Sequence, residues 1–230
     1  MIRINELTKK YGDKIIFKKV SGLLENRNIY ALVGTNGIGK TTMLNAITQP
    51  ASVDEGTVEI DGIDSRLFQA KHNFFYVPDS KEMFLNLTGY EYLRFVTRLY
   101  HRRIEKMEEE VQGISTAFKL DHSLNECIGN YSLGMKQKVY LIAAFLSDTR
   151  NLILDEPFNG LDPESIVILK KLLIEYKAKG KLILFSSHNL DLVANFCDSI
   201  VFIDKERNIF LCKNPQDYIQ LENIFFQKCV

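Results

Sequence analysis

Several strand-forming runs in this chain are apolar apart from their end residues: NIYALV at 28–33, NLIL at 151–154, KLILFS at 181–186 and SIVFI at 199–203. A strand with one wet face alternates apolar and polar residues. A strand without alternation must be covered on both faces, the condition of a largely parallel sheet. IRIN (2–5), TVEI (57–60) and FFYV (74–77) complete the set. Between the runs lie helical stretches, Lys40 to Thr48, Gly134 to Ser147 and Pro163 to Ala178. The last opens on Asp162-Pro163-Glu164, an N-cap followed by proline at the first helical position, where the missing N–H costs nothing. Strands alternating with helices predict an α/β core.

The rhythm breaks between about Asp79 and Asn130, where YEYLRFVTRLYH (90–101) and RIEKMEEEVQGISTAFKL (103–120) read as two helices with no β run between them. The expectation is one domain, with about 1–78 and 136–230 forming the α/β core and about 79–135 a helical insertion. NPQDYIQLENIFFQKCV (214–230) ends in a helix. With 46% hydrophobic and 25% charged residues the chain is composed like a folded domain.

Charge and cysteine content exclude several functions. Twenty-nine Lys and Arg balance twenty-nine Asp and Glu, which leaves no electrostatic footprint for a nucleic-acid binder. Cys127, Cys197, Cys212 and Cys229 show no C-x-x-C spacing, so neither a zinc cluster nor a dithiol motif is expected; free thiols in a reducing cytoplasm are. The opening MIRINELTKK lacks the apolar core of a signal peptide. The longest unbroken apolar stretch, Val139 to Leu146, falls well short of the roughly 20 residues a bilayer span requires.

Directly after NIYALV comes Gly34-Thr35-Asn36-Gly37-Ile38-Gly39-Lys40-Thr41-Thr42, which fits G-x-x-x-x-G-K-[ST] with a strand before it and a helix after it. The glycines permit backbone conformations closed to other residues, so successive N–H groups turn inward around phosphate oxygens, and the following helix adds its positive end. Lys40 then reaches the β and γ phosphates, and the Thr41 hydroxyl serves a Mg²⁺ ion.

NLIL runs into Asp155-Glu156-Pro157, two acids at the carboxyl end of a buried strand, where open α/β sheets place their ligands. Asp155 suits Mg²⁺, and Glu156, pointing elsewhere, suits a general base for an attacking water. KLILFSS delivers His188 in the same way, within reach of a γ-phosphate.

At Tyr131-Ser132-Leu133-Gly134-Met135-Lys136-Gln137 a Ser placed to cap a helix completes a set. Together with the phosphate loop, Asp155-Glu156, Asn159-Gly160-Leu161-Asp162 and Ser187-His188, it resembles the signature of ATP-binding-cassette ATPases, in the right order from Tyr11 to His188. The resemblance implies an α/β P-loop ATPase core with an antiparallel β subdomain and an inserted helical subdomain. It implies that Tyr11 stacks on adenine, that Gly34 to Thr42 form the Walker A loop, that Asp155 and Glu156 are the Walker B acid and catalytic base, that Asn159 to Asp162 form the D-loop, and that His188 is the switch histidine. Ser132 and Gly134 would contact the γ-phosphate held by a second copy, giving a homodimer with two shared ATP sites. On its own residues, YGDKIIF also reads simply as an aromatic before a Gly-Asp turn between two strands.

The signature departs from Leu-Ser-Gly-Gly-Gln at Tyr131, Leu133 and Met135, and this variant is similar to that of single-cassette exporter subunits of the bacitracin and lantibiotic type. After FFYVP, where the family carries a glutamine, stands Asp79, with no glutamine between Gln69 and Gln112. An aspartate there retains a metal-linked role through water with shorter reach. The resemblance thus implies an ATP- and Mg²⁺-dependent subunit, cytoplasmic and peripheral at the membrane, docked on a separate transmembrane permease; the alternative is a soluble cassette ATPase working on ribosomes or DNA. SKEMFLNLTGYEYLRF (80–95), with Met83 and Phe84, reads either as the permease-docking segment or as internal packing.

Overall fold

The computed structural model describes residues 1–49, 53–100 and 104–229, and side chains there except those of 104–107. His101 and Arg103, at the ends of two expected helices, and the final Val230 lie outside the described residues. The chain divides into two compact units: Met1–Tyr76 with Arg150–Asp155 and Glu175–Val230, and Val77–Thr149 with Glu156–Ile174.

The first unit carries two sheets. In the antiparallel one, β1 (Ile2–Tyr11) lies between β2 (Lys14–Leu24) and β4 (Glu55–Ile60), and the two-residue β5 (Ile63–Asp64) extends β4. β1 runs well past IRIN because its second half is bulged, with register shifts against β2 at Ile4/Leu7, Leu7/Lys9 and Lys9/Lys10. Bulges destroy the alternation a strand is recognised by. The Gly12-Asp13 turn joins β1 to β2, with Tyr11 opposite Lys14 and Gly12 at φ 56.

The second sheet has six strands. β3 (Ile29–Val33) pairs in parallel with β8 (Leu182–Ser187) and β9 (Ser199–Ile203), and β8 pairs in parallel with β7 (Asn151–Leu154). β6 (Phe74–Val77) lies beyond β7, and β10 (Ile209–Lys213) adds antiparallel to β9. Every residue of β3, β7 and β8 is buried, which is why these runs carry no alternation. The edge strand β10, half exposed along its length, lacks that signature and is not legible in the sequence. The short helix α1 (Lys40–Thr48) contributes Met43, Leu44 and Ile47 to a core that also takes in Leu32, Leu184 and Val201. Truncating such a residue to Ala costs about 2–5 kcal/mol. All four cysteines are free thiols.

The second unit is helical. α2 (Gly89–Leu99) starts at a capping box in which Thr88 Oγ1 accepts from Glu91 N at 3.1 Å and Glu91 Oε2 accepts from Thr88 N at 2.9 Å. α3 (Ile104–Ala117) stops short of Leu120 because Lys119 turns left-handed at φ 55, while Lys119 N and Leu120 N return to Thr116 O and Ser115 O. That double bond is a Schellman stop built without glycine. α4 (Leu133–Ser147) and the start of α5 (Pro163–Ala178) complete the unit. The short α6 (Leu190–Ala194) and the carboxyl-terminal α7 (Tyr218–Cys229) belong to the first. Among the described residues no helix is long and apolar enough to cross a membrane.

Candidate active site

In the first unit the site is laid out by strand register. β8 lies between β3 and β7, with Ser187 opposite Val33 and Phe185 opposite Leu154. The residues that leave the strand ends are thereby aligned: Gly34 beside His188, and Asp155 beside Ser186. Asp155 is 1% exposed, and both its oxygens are engaged. Oδ2 accepts from Thr41 Oγ1 at 2.7 Å, and Oδ1 accepts from Ser186 Oγ at 2.5 Å. Thr41 is the second residue of α1, so this bond ties the helix start to the end of β7.

Between β3 and α1 the loop has the backbone its glycines allow. Gly37 sits at φ 76 and Gly39 at φ 125. A Cβ on Gly34 would approach Ile38 Cγ2 to 2.8 Å, and one on Gly39 would come equally close to Ile16 Cγ2, on β2. Gly39 caps α1 with no side-chain bond, so the first N–H groups of the helix are left to an incoming anion. Lys40 is 8% exposed and folds over its own loop, its Nζ donating to Gly34 O at 3.0 Å and Thr35 O at 3.4 Å. Asn36 is exposed, while Thr35, Ile38 and Thr42 are half buried.

His188 is exposed just beyond β8. The turn that carries it is fixed on both sides: Ser187 Oγ accepts from Asn189 N at 3.1 Å, and Asn189 Oδ1 caps α6 through Leu192 N at 2.9 Å. Tyr11, 56% exposed, stands at the tip of the hairpin whose second strand packs Ile16 on Gly39.

In the second unit the signature segment and the loop before α5 are braced together. Ser132 caps α4 through Met135 N at 3.2 Å. A Cβ on Gly134 would lie 2.7 Å from Gly160 O, so only glycine fits the approach. Gln137 Nε2 donates to Pro157 O at 2.8 Å, and Lys138 Nζ to Asp162 Oδ2 at 2.8 Å. The Lys138 ammonium, with the N–H and hydroxyl of Ser165 behind it, holds the Asp162 carboxyl well below the usual carboxylate range. Tyr131 is buried, its hydroxyl donating to Ser123 O at 2.6 Å, and burial pushes it up to about 12. A Cβ on Gly89 would clash with its oxygen, which makes that glycine its counterpart. Glu156 opens the loop at φ 46, a left-handed backbone that only a constrained turn imposes on a glutamate. Its carbonyl accepts from Asn159 N at 3.1 Å.

Asp79 is exposed in the same unit. Two residues on, Lys81 is 5% exposed and donates its ammonium to the carbonyls of Pro78 and, at 3.0 Å, of Asp79, 5.8 Å from the Tyr140 ring centre. Tyr140 in turn donates to Met83 O at 2.6 Å. The ring of Phe84 packs on Tyr92 and Phe95, with centres 5.1 and 5.7 Å away, whereas Met83 remains 52% exposed.

The structure therefore joins Lys40, Thr41 and Asp155 with Tyr11 and His188 in one unit, and Ser132 and Gly134 with the 159–162 loop, Asp79 and Glu156 in the other. Gln137 was quoted only as the last residue of the signature segment, and Ser186, Lys138 and Lys81 were not singled out from the sequence. Only Ser186 carried a signal, a hydroxyl at the end of an otherwise apolar strand.

Known proteins are similar to this chain in sequence and in fold. The family profile described as ABC transporter matches residues 17–159. AlbC of Bacillus subtilis is 35% identical over 193 residues, covering 81% of this chain and 80% of AlbC. The lantibiotic transport ATP-binding protein SrtF of Streptococcus pyogenes is 30% identical over 226 residues, covering 98% and 96%. A solved ATP-binding subunit of an ABC transporter superposes with a TM-score of 0.90 at 27% identity, over 98% of this chain and 99% of that one. With its loop geometry and its near full-length likeness to these proteins, the chain belongs to the ABC transporter family as an ATP-binding ATPase subunit.

Proposed function

We propose that this chain hydrolyses ATP to drive an exporter, as a homodimer docked on a separate membrane-spanning permease. The observation that carries the reading is the bonded row Thr41, Asp155 and Ser186 at the strand ends beside a lysine-bearing phosphate loop. Lys40 exchanges its loop carbonyls for the β and γ phosphates of ATP, and the uncapped start of α1 adds N–H donors. Glu156 orients and deprotonates the attacking water, and His188 contacts the γ-phosphate.

The residues fit Mg²⁺: a hydroxyl and a buried carboxylate 2.7 Å apart are hard oxygen donors. Among the described residues no group of three or more His, Cys, Asp or Glu could hold a metal; nucleotide oxygens would supply further ligands. Thr41 and Asp155 would hold the ion. When bound, it neutralises charge on the phosphates.

Ser132 and Gly134 face the nucleotide of a second copy, and ATP closes the pair. The likeness to SrtF supports peptide cargo of the lantibiotic kind. The exposed Met83 is the residue offered to the permease.

Purification of tagged Glu156→Gln protein from native membranes with ATP and Mg²⁺ tests the reading. A stoichiometric polytopic membrane protein is the expected companion. Recovery with ribosomes or DNA-bound proteins from the soluble fraction would overturn it.

A further inference from the structure

Tyr11 is not a lone aromatic at a hairpin tip. Lys9, on the same strand, is only 8% exposed and places its Nζ 4.8 Å from the centre of the Tyr11 ring. The ammonium is itself anchored, 3.6 Å from Asp54 Oδ2. Asp54 also accepts from Lys10 N at 2.7 Å, and its own N–H donates to Thr8 O at 3.1 Å. The register of β1 shifts on either side of Lys9, and bulges of this kind re-aim side chains. One face of the ring is thus occupied by an anchored cation, while Tyr11 as a whole is 56% exposed.

We infer that Lys9, anchored by Asp54, is a positioning residue for nucleotide-base recognition: it holds the Tyr11 ring by cation–π attraction so that its free face receives the purine. This rests on the reading that Tyr11 stacks on the base of ATP. The cation draws on the negative face of the ring and restrains its rotamer, which lowers the ordering cost of stacking. A contact of this type corresponds to about a two- to five-fold change in affinity.

The test is calorimetric titration of the full chain with ATP and, separately, with inorganic tripolyphosphate, which lacks a base, both with EDTA present. Lys9→Met is expected to weaken ATP two- to five-fold and leave tripolyphosphate unchanged, Lys9→Arg to bind as the parent does, and Lys9→Met to add nothing in a Tyr11→Ala background. Equal weakening of both ligands, or the same loss with Tyr11 absent, would mean a general charge effect and overturn the inference. Loss with Tyr11→Ala but none with Lys9→Met overturns it while the stacking reading survives. No loss with Tyr11→Ala removes both. If Lys9→Met does not fold, Asp54→Asn replaces it, with a smaller loss confined to ATP expected and no loss overturning the inference.

Discussion

The phosphate loop and the signature segment are both glycine-bearing starts of helices, yet they are held by different means. The first is held by backbone: parallel register sets Gly34, Asp155, Ser186 and His188 at adjoining strand ends, and two bonds, from Thr41 and Ser186 to Asp155, finish the job. The second is held by side chains reaching from α4 to the loop before α5, through Gln137, Lys138 and the contact of Gly134 with Gly160. A site set by register tolerates substitution around it and is defeated by loss of its charged groups. A site set by braces is sensitive to each brace.

The largest expected effect lies on the loop itself. Lys40→Ala should lower ATP hydrolysis by about two orders of magnitude or more, read as phosphate release, because a preorganised charge at the transferred group is lost. Gly134→Ala comes next: its methyl meets Gly160 O at 2.7 Å, so turnover should fall about tenfold while ATP binding to the dilute protein is unchanged. Equal loss of binding would erase the contrast between the two regions. Ser186→Ala removes one donor from a buried carboxylate and should destabilise the chain by about 1–2 kcal/mol in urea unfolding.

The smallest effect is a matter of pH. Tyr131 ionises near 10.0 when unfolded and at about 12 in the fold. The unfolded chain gives up that proton first, so the contribution of Tyr131 is intact below pH 10 and is lost as pH rises toward 12. Tyr131→Phe should flatten the fall of melting temperature over that window; an unchanged slope would place the alkaline sensitivity elsewhere.

Legibility followed the same division. β3, β7 and β8 could be read because burial on both faces leaves a local mark, and the phosphate loop because its chemistry is contiguous. α5 could be read because its Asp-Pro-Glu opening marks its start. β10 was missed, as an edge strand without a pattern, and the far half of β1 was hidden by its bulges. Lys138 and Lys81 are surface-type residues whose partners, Asp162 and the ring of Tyr140, lie 24 and 59 positions away, and no local pattern announces such pairs. Asp79 was visible as a departure, but not the buried ammonium that grips its carbonyl.

The interior position of β8, bonded on both sides by β3 and β7, has a consequence for motion. Amide protons in the middle of a sheet exchange with solvent only when the whole sheet opens. The strand that delivers Ser186 and His188 should therefore be among the slowest-exchanging segments of the molecule, with or without nucleotide. The floor under the phosphates is in that sense a fixed datum, and a conformational response to ATP is left to the turns that rise from it.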